Sequence, residues 1–578
     1  METPELSHEQ KALLDESISV VEAGPGSGKT RALVARFLAS AIASKKGIAL
    51  ISYTNAAVDE VQRRTYQTPE LLRAPHFVGT IDSFLHRFIV TPAETVRLRR
   101  HPTYWTSWDD LAENWSTVRL ANPAGSGIRL SAFRIDQTGA ILLNESGLRW
   151  PEAAYLRQVD NAGLRHLLMN RAKSKINGLT HHGTYDASTA RVKAGALLSD
   201  QAGPDILARI SRRFGELLVD EAQDCDEAEF EIIRRIASTG VKTLVVADPD
   251  QAIFEFRGSS PKLFLDYRDA QGQAARASLS TNYRSTRSIC SAVTALRSAG
   301  AVNADNQGDC APVLVLSGEP DDQRAKFLAA LVEHGVAIED AIVLAHRRKD
   351  ATTVAGSSPA EGISGATGNR LVAACSVIRR SDRPSERLAA IQTIERIILG
   401  LVNWPEDLRT RSQAQQLEAL ERRPEWLRQA TAVLVARTAA VADAESFGTA
   451  ARSHLKAILE PLPIASLPIH RRVKKPTATV WLACEGVPGT PAPLASATVH
   501  GAKGMEFDAV LLALPTELRK TNGLDVLNEW EQYLNREARR VLYVGASRAK
   551  RVLAIGAGPH AERVETILQD RHVPVDLR

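Results

Sequence analysis

The stretch Ala23-Gly24-Pro25-Gly26-Ser27-Gly28-Lys29-Thr30 joins three glycines to an amine and a hydroxyl. Glycines let successive backbone N–H groups turn toward one phosphate, and a helix that follows adds its positive N-terminal end. Lys29 would neutralise charge on the β- and γ-phosphates, and the Thr30 hydroxyl would hold Mg²⁺. Ala23 stands where a strict form of this loop has glycine. The complement is Leu217-Leu218-Val219-Asp220-Glu221-Ala222-Gln223-Asp224, a hydrophobic run that ends in carboxylates. Asp220 would sit near the metal ion and Glu221 near an attacking water. Alone, the first is a glycine-rich turn and the second a solvated sheet edge. Together they predict hydrolysis of a nucleoside triphosphate.

Such residues need strands to present them. Ile18, Val20 and Val21 run directly into the glycine-rich turn, which predicts a buried strand over 17–24. Leu33, Val34, Phe37, Leu38 and Ile42 recur at helical spacing and predict a helix over 31–43. Strand-like and helix-like segments then alternate: 47–53 strand, 56–64 helix, Phe77-Val78 a strand end, 82–88 helix, with strands again at 215–219 and 242–246. Further strands are expected at 313–316, 341–344, 509–514 and 552–555. This alternation predicts an α/β fold with parallel sheets covered on both faces. Residues 91–203 carry Trp105, Trp108, Trp115 and Trp150 in a helix-like pattern without strong strands. A stretch rich in Gly, Ser, Ala and Pro at 355–369 suits a linker, and an Ala-, Leu-, Arg- and Glu-rich region at 370–458 suits helices. The expected organisation is a first core at 1–91 and 204–276 with a helical insertion at 92–203. A second core at 277–355 and 494–578 would carry an insertion at 356–493.

The chain has 578 residues, 44% hydrophobic and 24% charged, so a small binding module, a disordered chain and a fibrous repeat are all excluded. Lys and Arg number 72 against 67 Asp and Glu, a net charge of +5 that is compatible with a polyanionic partner. Five cysteines stand far apart and form no Cys-x-x-Cys pair, which predicts a reducing compartment and no zinc or iron–sulfur site. The acidic start lacks the pattern of a signal peptide, and no uncharged apolar run approaches membrane-spanning length. A cytoplasmic protein without a membrane partner is expected.

Further motifs extend the pattern. They are Leu6-Ser7-His8-Glu9-Gln10, Tyr53-Thr54-Asn55-Ala56-Ala57, Gly79-Thr80-Ile81-Asp82-Ser83-Phe84, and the run from Asp248-Pro249-Asp250-Gln251 through Phe254-Glu255-Phe256-Arg257-Gly258. In the second half stand Thr281-Asn282-Tyr283-Arg284-Ser285, Thr498-Val499-His500-Gly501-Ala502-Lys503-Gly504-Met505-Glu506-Phe507 and Tyr543-Val544-Gly545-Ala546-Ser547-Arg548-Ala549-Lys550. In content and order these resemble the motifs of the UvrD/Rep-like superfamily 1 helicases. Ala247 and Ala538 replace the family's Gly and Glu, and Ser547 its Thr.

The resemblance implies two RecA-like P-loop NTPase cores that bind ATP and Mg²⁺ between them. Gln10 would read adenine, with the base held between Arg31 and the Tyr283 ring. The loop residues Ala23, Gly24, Pro25, Gly26, Ser27, Gly28, Lys29 and Thr30 would cradle the phosphates, and Glu506 would meet the ribose. Arg284 and Arg548 would act as arginine fingers from the second core, and Gln251 would sense the γ-phosphate.

On the strand side, Tyr53, Phe254 and Phe256 would stack on unpaired bases, a contact every base accepts. Thr54, Asn55, Thr80, Arg257, Thr498 and His500 would hold phosphates or sugars. The implied activity is ATP-dependent 3′→5′ movement on single-stranded DNA with unwinding of tailed duplexes. A rival is implied by similarity to the helicase-like subunit of the Gabija anti-phage system: a DNA-stimulated NTPase that regulates a partner nuclease and unwinds weakly.

Overall fold

A computed structural model describes residues 6–53, 58, 61, 65, 68–105, 107–111, 113–123, 125–136, 138–148, 150–255, 258–305, 310–356, 366–380, 384–405, 408, 413–485, 494–518, 524–532 and 534–578. The expected helix at 56–64 and the linker at 355–369 lie largely outside them, as do Thr54, Asn55, Phe256 and Arg257.

Among the described residues two six-stranded sheets form, and every strand pair in them is parallel. The first contains β1 (Val20–Ala23), β2 (Gly47–Ser52), β3 (Phe77–Thr80), β4 (Phe214–Val219), β5 (Lys242–Ala247) and β6 (Arg276–Leu279) in the spatial order β6-β1-β5-β4-β2-β3. The second contains β7 (Val313–Leu316), β8 (Ala341–Ala345), β9 (Ala495–Thr498), β10 (Phe507–Ala513), β11 (Ala549–Gly556) and β12 (Val575–Leu577) in the order β9-β8-β10-β11-β7-β12.

The strands are near-continuous apolar runs because both faces are covered. On one face of the first sheet Val20, Ile51, Leu217, Val219 and Val245 join a core with Phe84, Phe230 and Phe264. On the other, Val21, Leu50, Leu218, Leu244 and Val246 meet Leu33, Val34 and Phe37 of the helix α1 (Lys29–Ala43). Arg36 of α1 donates from Nε and Nη2 to Glu216 Oε1 on β4 at 2.9 and 2.7 Å, a buried pair that locks this helix to the sheet. Strand order reverses around β1, so the crevice that such folds use for ligands opens at its C-terminal end, at the glycine-rich loop.

Strands β6, β9 and β12 carry weak patterns and are not foreseen from periodicity. β6 pairs with β1 in the first sheet, so residues 276–279 complete the first core, and the changeover to the second falls after Leu279 and not at 277. Residues 108–176 bury a cluster of their own around Trp108, Phe133, Tyr155 and Ile176. This region is not helical throughout. It includes antiparallel ladders of Thr117–Val118 with Ile128–Arg129 and of Phe133–Ile135 with Ile141–Leu143, each too short to leave a sequence period. The helix α2 (Ala187–Ser199), within the segment 92–203, buries Ala190, Ala194, Leu197 and Leu198 in the core of the first sheet. Helices within 367–485 form a separate cluster around Leu371, Ile394, Leu434, Phe447 and Leu455. Among the described residues no helix is long and apolar enough to cross a membrane.

Candidate active site in the cleft between the cores

The loop after β1 is shaped by positive φ at Gly26 (67°) and Gly28 (74°), which favour glycine. A Cβ on Gly28 would meet Gln10 Nε2 at 2.5 Å, so the loop passes directly under that amide. Gln10 donates from Nε2 to the Ser27 carbonyl at 2.9 Å and also caps its own short helix with Ser7. Ser27 Oγ donates to the Gly24 carbonyl, and Asn282 and Tyr283 donate to the carbonyls of Pro25 and Gly26. Residues 282–283, which begin the second core's arginine motif, therefore bond directly to the phosphate loop. Tyr283, 44% exposed, stands beside it.

Lys29 Nζ lies 2.6 Å from Glu221 Oε1, and Thr30 Oγ1 donates to Asp220 Oδ2 at 3.4 Å. Glu221 has φ 55° and receives hydrogen bonds on its side chain from Gln223 and Lys29. Burial pushes the Glu221 carboxyl up, but Lys29, Lys503 and the Gln223 amide outweigh it and hold the group at about 2. Burial and the neighbouring Glu221 charge push Asp220 up to about 6. Two adjacent carboxylates in a buried site, one of them raised in this way, are a donor set that suits a hard divalent cation. Thr30 and Asp220 would hold Mg²⁺, which would supply charge neutralisation to a bound triphosphate.

The second core closes over this site with a set of donors. Arg548, 3% exposed, donates from Nη2 to Gln251 Oε1 at 3.2 Å and from Nε to the Val544 carbonyl at 3.1 Å. Burial, then the Arg284 charge, bring it down to about 10, so it remains protonated at neutral pH. Arg284 donates to the Ser547 carbonyl and to Glu506, both at 3.1 Å, while its Nε is buried with no hydrogen-bond partner among the described residues. Glu506 is thus taken up by Arg284 and, at 3.7 Å, Lys550.

Gln251 is fixed at both ends of its amide. Its Nε2 donates to Asp248 Oδ2 at 2.8 Å, and that oxygen also receives the Tyr543 hydroxyl at 2.8 Å. Asp248 N donates to Gln223 Oε1 at 3.1 Å, and Gln223 donates in turn to Glu221. A continuous hydrogen-bond chain therefore runs from Glu221 in the first core to Arg548 and Tyr543 in the second. Lys503 adds a direct bridge: its Nζ is 2.6 and 2.7 Å from the Asp224 oxygens and 2.9 Å from the Gln251 carbonyl. Gln223, Asp224, Asp248, Lys503 and Tyr543 stand inside the motifs read from sequence, yet no role follows from their spacing. For Gln223, Asp224 and Asp248 the only signal is a polar residue just past an apolar strand end, and Lys503 and Tyr543, the latter inside the helix Glu537–Ala546, carry none.

Of the described strand-side candidates, Tyr53, Thr80, Thr498 and His500 lie at or just past the C-terminal ends of β2, β3 and β9. Tyr53 follows β2 and donates its hydroxyl to Glu229. Thr80 ends β3 and caps the helix Ile81–Leu85, accepting from Ser83 N at 3.2 Å. Phe254 is half-buried, its ring centroid 4.8 Å from Lys503 Nζ and 5.8 Å from the His500 ring. His500 Nε2 bonds to the Ile253 carbonyl at 2.9 Å, and Thr498 Oγ1 accepts from Gly501 N at 3.1 Å. Ile253 itself is buried in the core of the second sheet, so this part of the first core is plugged into its neighbour.

Two parallel-sheet cores, a glycine loop with a lysine on one, and arginines from the other at the same cleft define a two-core P-loop NTPase fold. Residues 6–271 match the UvrD/REP helicase N-terminal domain, and residues 495–557 match the UvrD-like helicase C-terminal domain, together more than half of the chain. The chain belongs to the UvrD/Rep-like superfamily 1 helicase family. It is 27% identical over 295 residues to DNA helicase II of Escherichia coli (strain K12), covering 48% of this chain and 38% of that protein. It is 25% identical over 350 residues to the putative ATP-dependent DNA helicase YjcD of Bacillus subtilis (strain 168), covering 56% and 43%. To the ATP-dependent DNA helicase PcrA of Leuconostoc citreum it is 26% identical over 284 residues, covering 48% and 36%. The chain therefore matches less than half the length of each of these relatives.

Proposed function

We propose that the chain is an ATP-driven 3′→5′ translocase on single-stranded DNA that opens tailed duplexes. The observation that carries this reading is the chain of bonds Glu221–Gln223–Asp248–Gln251–Arg548, which ties the candidate base in one core to a cationic group in the other. A triphosphate entering the loop draws Lys29 off Glu221 toward its own oxygens. The freed carboxylate takes the proton of a water attacking the γ-phosphorus. Arg548 and the spare Arg284 Nε meet the charge that develops, and Gln251 reports its loss as the products leave. Gln10, Arg31 and Tyr283 hold the base, and Glu506 turns from its arginine to the ribose.

Opening and closing of the cleft moves the two gripping edges past each other. Tyr53 and Phe254 hold bases, and Thr80, Thr498 and His500 hold the backbone, with Thr54, Asn55, Phe256 and Arg257 as further contacts. The 3′→5′ direction is supported by the motif after Gln251, which is similar to the UvrD/Rep branch and lacks the Leu-Pro-Pro of the other branch. The names of the relatives, ATP-dependent DNA helicases among them, support the helicase part of this reading.

The test is ATP turnover with and without single-stranded DNA, run beside strand displacement on 3′-tailed and 5′-tailed duplexes. DNA-stimulated turnover with opening of the 3′-tailed duplex alone is expected. Opening of the 5′-tailed duplex overturns the direction, and stimulated turnover without opening of either favours the nuclease-regulating NTPase subunit.

A further inference from the structure

Arg191 lies on α2, in the segment expected as an insertion, but its side chain points into the first core. Its guanidinium forks onto Asp82, Nε to Oδ1 at 2.9 Å and Nη2 to Oδ2 at 3.1 Å, and Nε is 3.0 Å from Glu229 Oε1. Its central carbon is 6.0 Å from the centroid of the Tyr53 ring. The Arg191 side chain is 14% exposed, that of Glu229 0% and that of Asp82 30%, so Arg191 meets Glu229 out of water and Asp82 near the surface. The other Glu229 oxygen receives the Tyr53 hydroxyl and, at 2.9 Å, the Asp226 N–H.

One guanidinium thereby ties three segments together. Tyr53 follows β2, and Asp82 lies in the first turn of the helix that Thr80 caps. Glu229 completes the capping box with Asp226 that starts the helix Glu227–Ala237. That helix begins directly after the acidic loop, in which Glu221 meets Lys29 and Asp224 meets Lys503. Movement of Tyr53 reaches Glu229 through its own hydroxyl, beside the Arg191 guanidinium, while movement of the Thr80 helix reaches Glu229 through Asp82 and Arg191; from Glu229 both pass to the Asp226 cap that follows the acidic loop. A planar fork shared by two carboxylates transmits orientation as well as charge, which a single ammonium does not.

We infer that Arg191 is a positioning residue that couples strand occupancy at Tyr53 and Thr80 to nucleotide turnover at the acidic loop. This rests on the strand-binding reading proposed above. Its readout is the ratio of ATP turnover with saturating oligothymidylate to turnover without DNA, together with the oligothymidylate concentration at half-stimulation and the melting temperature.

Arg191→Met is expected to lower the ratio roughly tenfold and to raise the half-stimulating concentration, the size of an ordinary coupling between sites. Arg191→Lys is expected to recover part of the ratio, since an ammonium meets one carboxylate at a time. A folded Arg191→Met protein whose ratio stays within about twofold overturns the inference, including where both turnovers fall in equal proportion. If that variant does not fold, Asp82→Asn decides by the same ratio: a fall beyond about twofold supports the coupling and an unchanged ratio overturns it. An unmodified protein that shows no response to DNA overturns the proposed function and the inference together. A response that the variants leave intact overturns the inference alone.

Discussion

Lys503 of the second core places its ammonium 2.6 Å from the Asp224 carboxylate of the first, with side-chain exposures of 4% and 1%. The two residues are 279 positions apart in the chain, and their pair sits beside the phosphate loop and under the Phe254 ring. A charge buried this deeply is tolerated only with its partner in place. The pair is a clasp between the second core and the acidic loop of the first.

Lys503→Met is expected to destabilise the protein by about 3–5 kcal/mol, because Asp224 is left buried and unpaired. Adding Asp224→Asn removes the orphaned charge, so the double variant is expected to be less destabilised than the sum of the two single changes. Urea unfolding of all four proteins measures the coupling. Strict additivity counts against a clasp.

Glu221→Gln keeps the shape of the side chain and removes its charge. Nucleotide binding is expected to persist while turnover falls by about 10²-fold or more, the range over which a positioned base acts. Equilibrium binding of a fluorescent ATP analogue, compared with single-turnover hydrolysis, separates the two. Parallel loss of both assigns Glu221 a structural role through Lys29.

Arg548→Ala removes the donor to Gln251 from a site where it is wholly buried. Hydrolysis in a single turnover is expected to fall by about 10³-fold or more, with a much smaller change in nucleotide affinity. Tyr543→Phe, which deletes only the hydroxyl on Asp248, is expected to remove about 1–2 kcal/mol of stability and to loosen Gln251 without abolishing turnover. Rates for the two variants that fall equally would argue against the ordering of this chain of bonds.

Glu94 gives a pH test away from the cleft. Burial pushes its carboxyl up, but hydrogen bonds from Arg97, Tyr185 and Lys193 outweigh it and hold the group at about 2. A carboxyl held low stabilises the fold above its ordinary value near 4.5, and that stability is lost as pH falls from there toward about 2. Glu94→Gln is expected to lower stability at neutral pH by about 2 kcal/mol, its cationic partners being partly exposed. Over the same acid range its stability should change less with pH than that of the unmodified protein. Melting temperatures across the pH series decide it, and equal slopes would remove Glu94 as the titrating group.

Much of the architecture was legible from local pattern. Val20 and Val21 before a glycine loop, and Leu217, Leu218 and Val219 before Asp220, announce strands and the loops that end them, because a strand buried on both faces must be apolar throughout. The residues quoted from the phosphate loop and the acidic pair meet within 2.6 Å at Lys29 and Glu221. The strands β6, β9 and β12 escaped, since runs of three or four residues such as Ala495–Thr498 are placed by the neighbours they pair with and not by their own composition.

By itself, then, the sequence determined the order of the strongly apolar strands and their helices, and the residue types that could meet a triphosphate. Those follow from periodicity and spacing within a few turns of chain. Only the tertiary structure decided that Gln251 is held between Asp248 and Arg548, that Lys503 clasps Asp224, and that Arg191 reaches back to Asp82 and Glu229. Each of these joins groups brought together by the packing of separate elements, and no local pattern records which buried charges become neighbours once the sheets are covered.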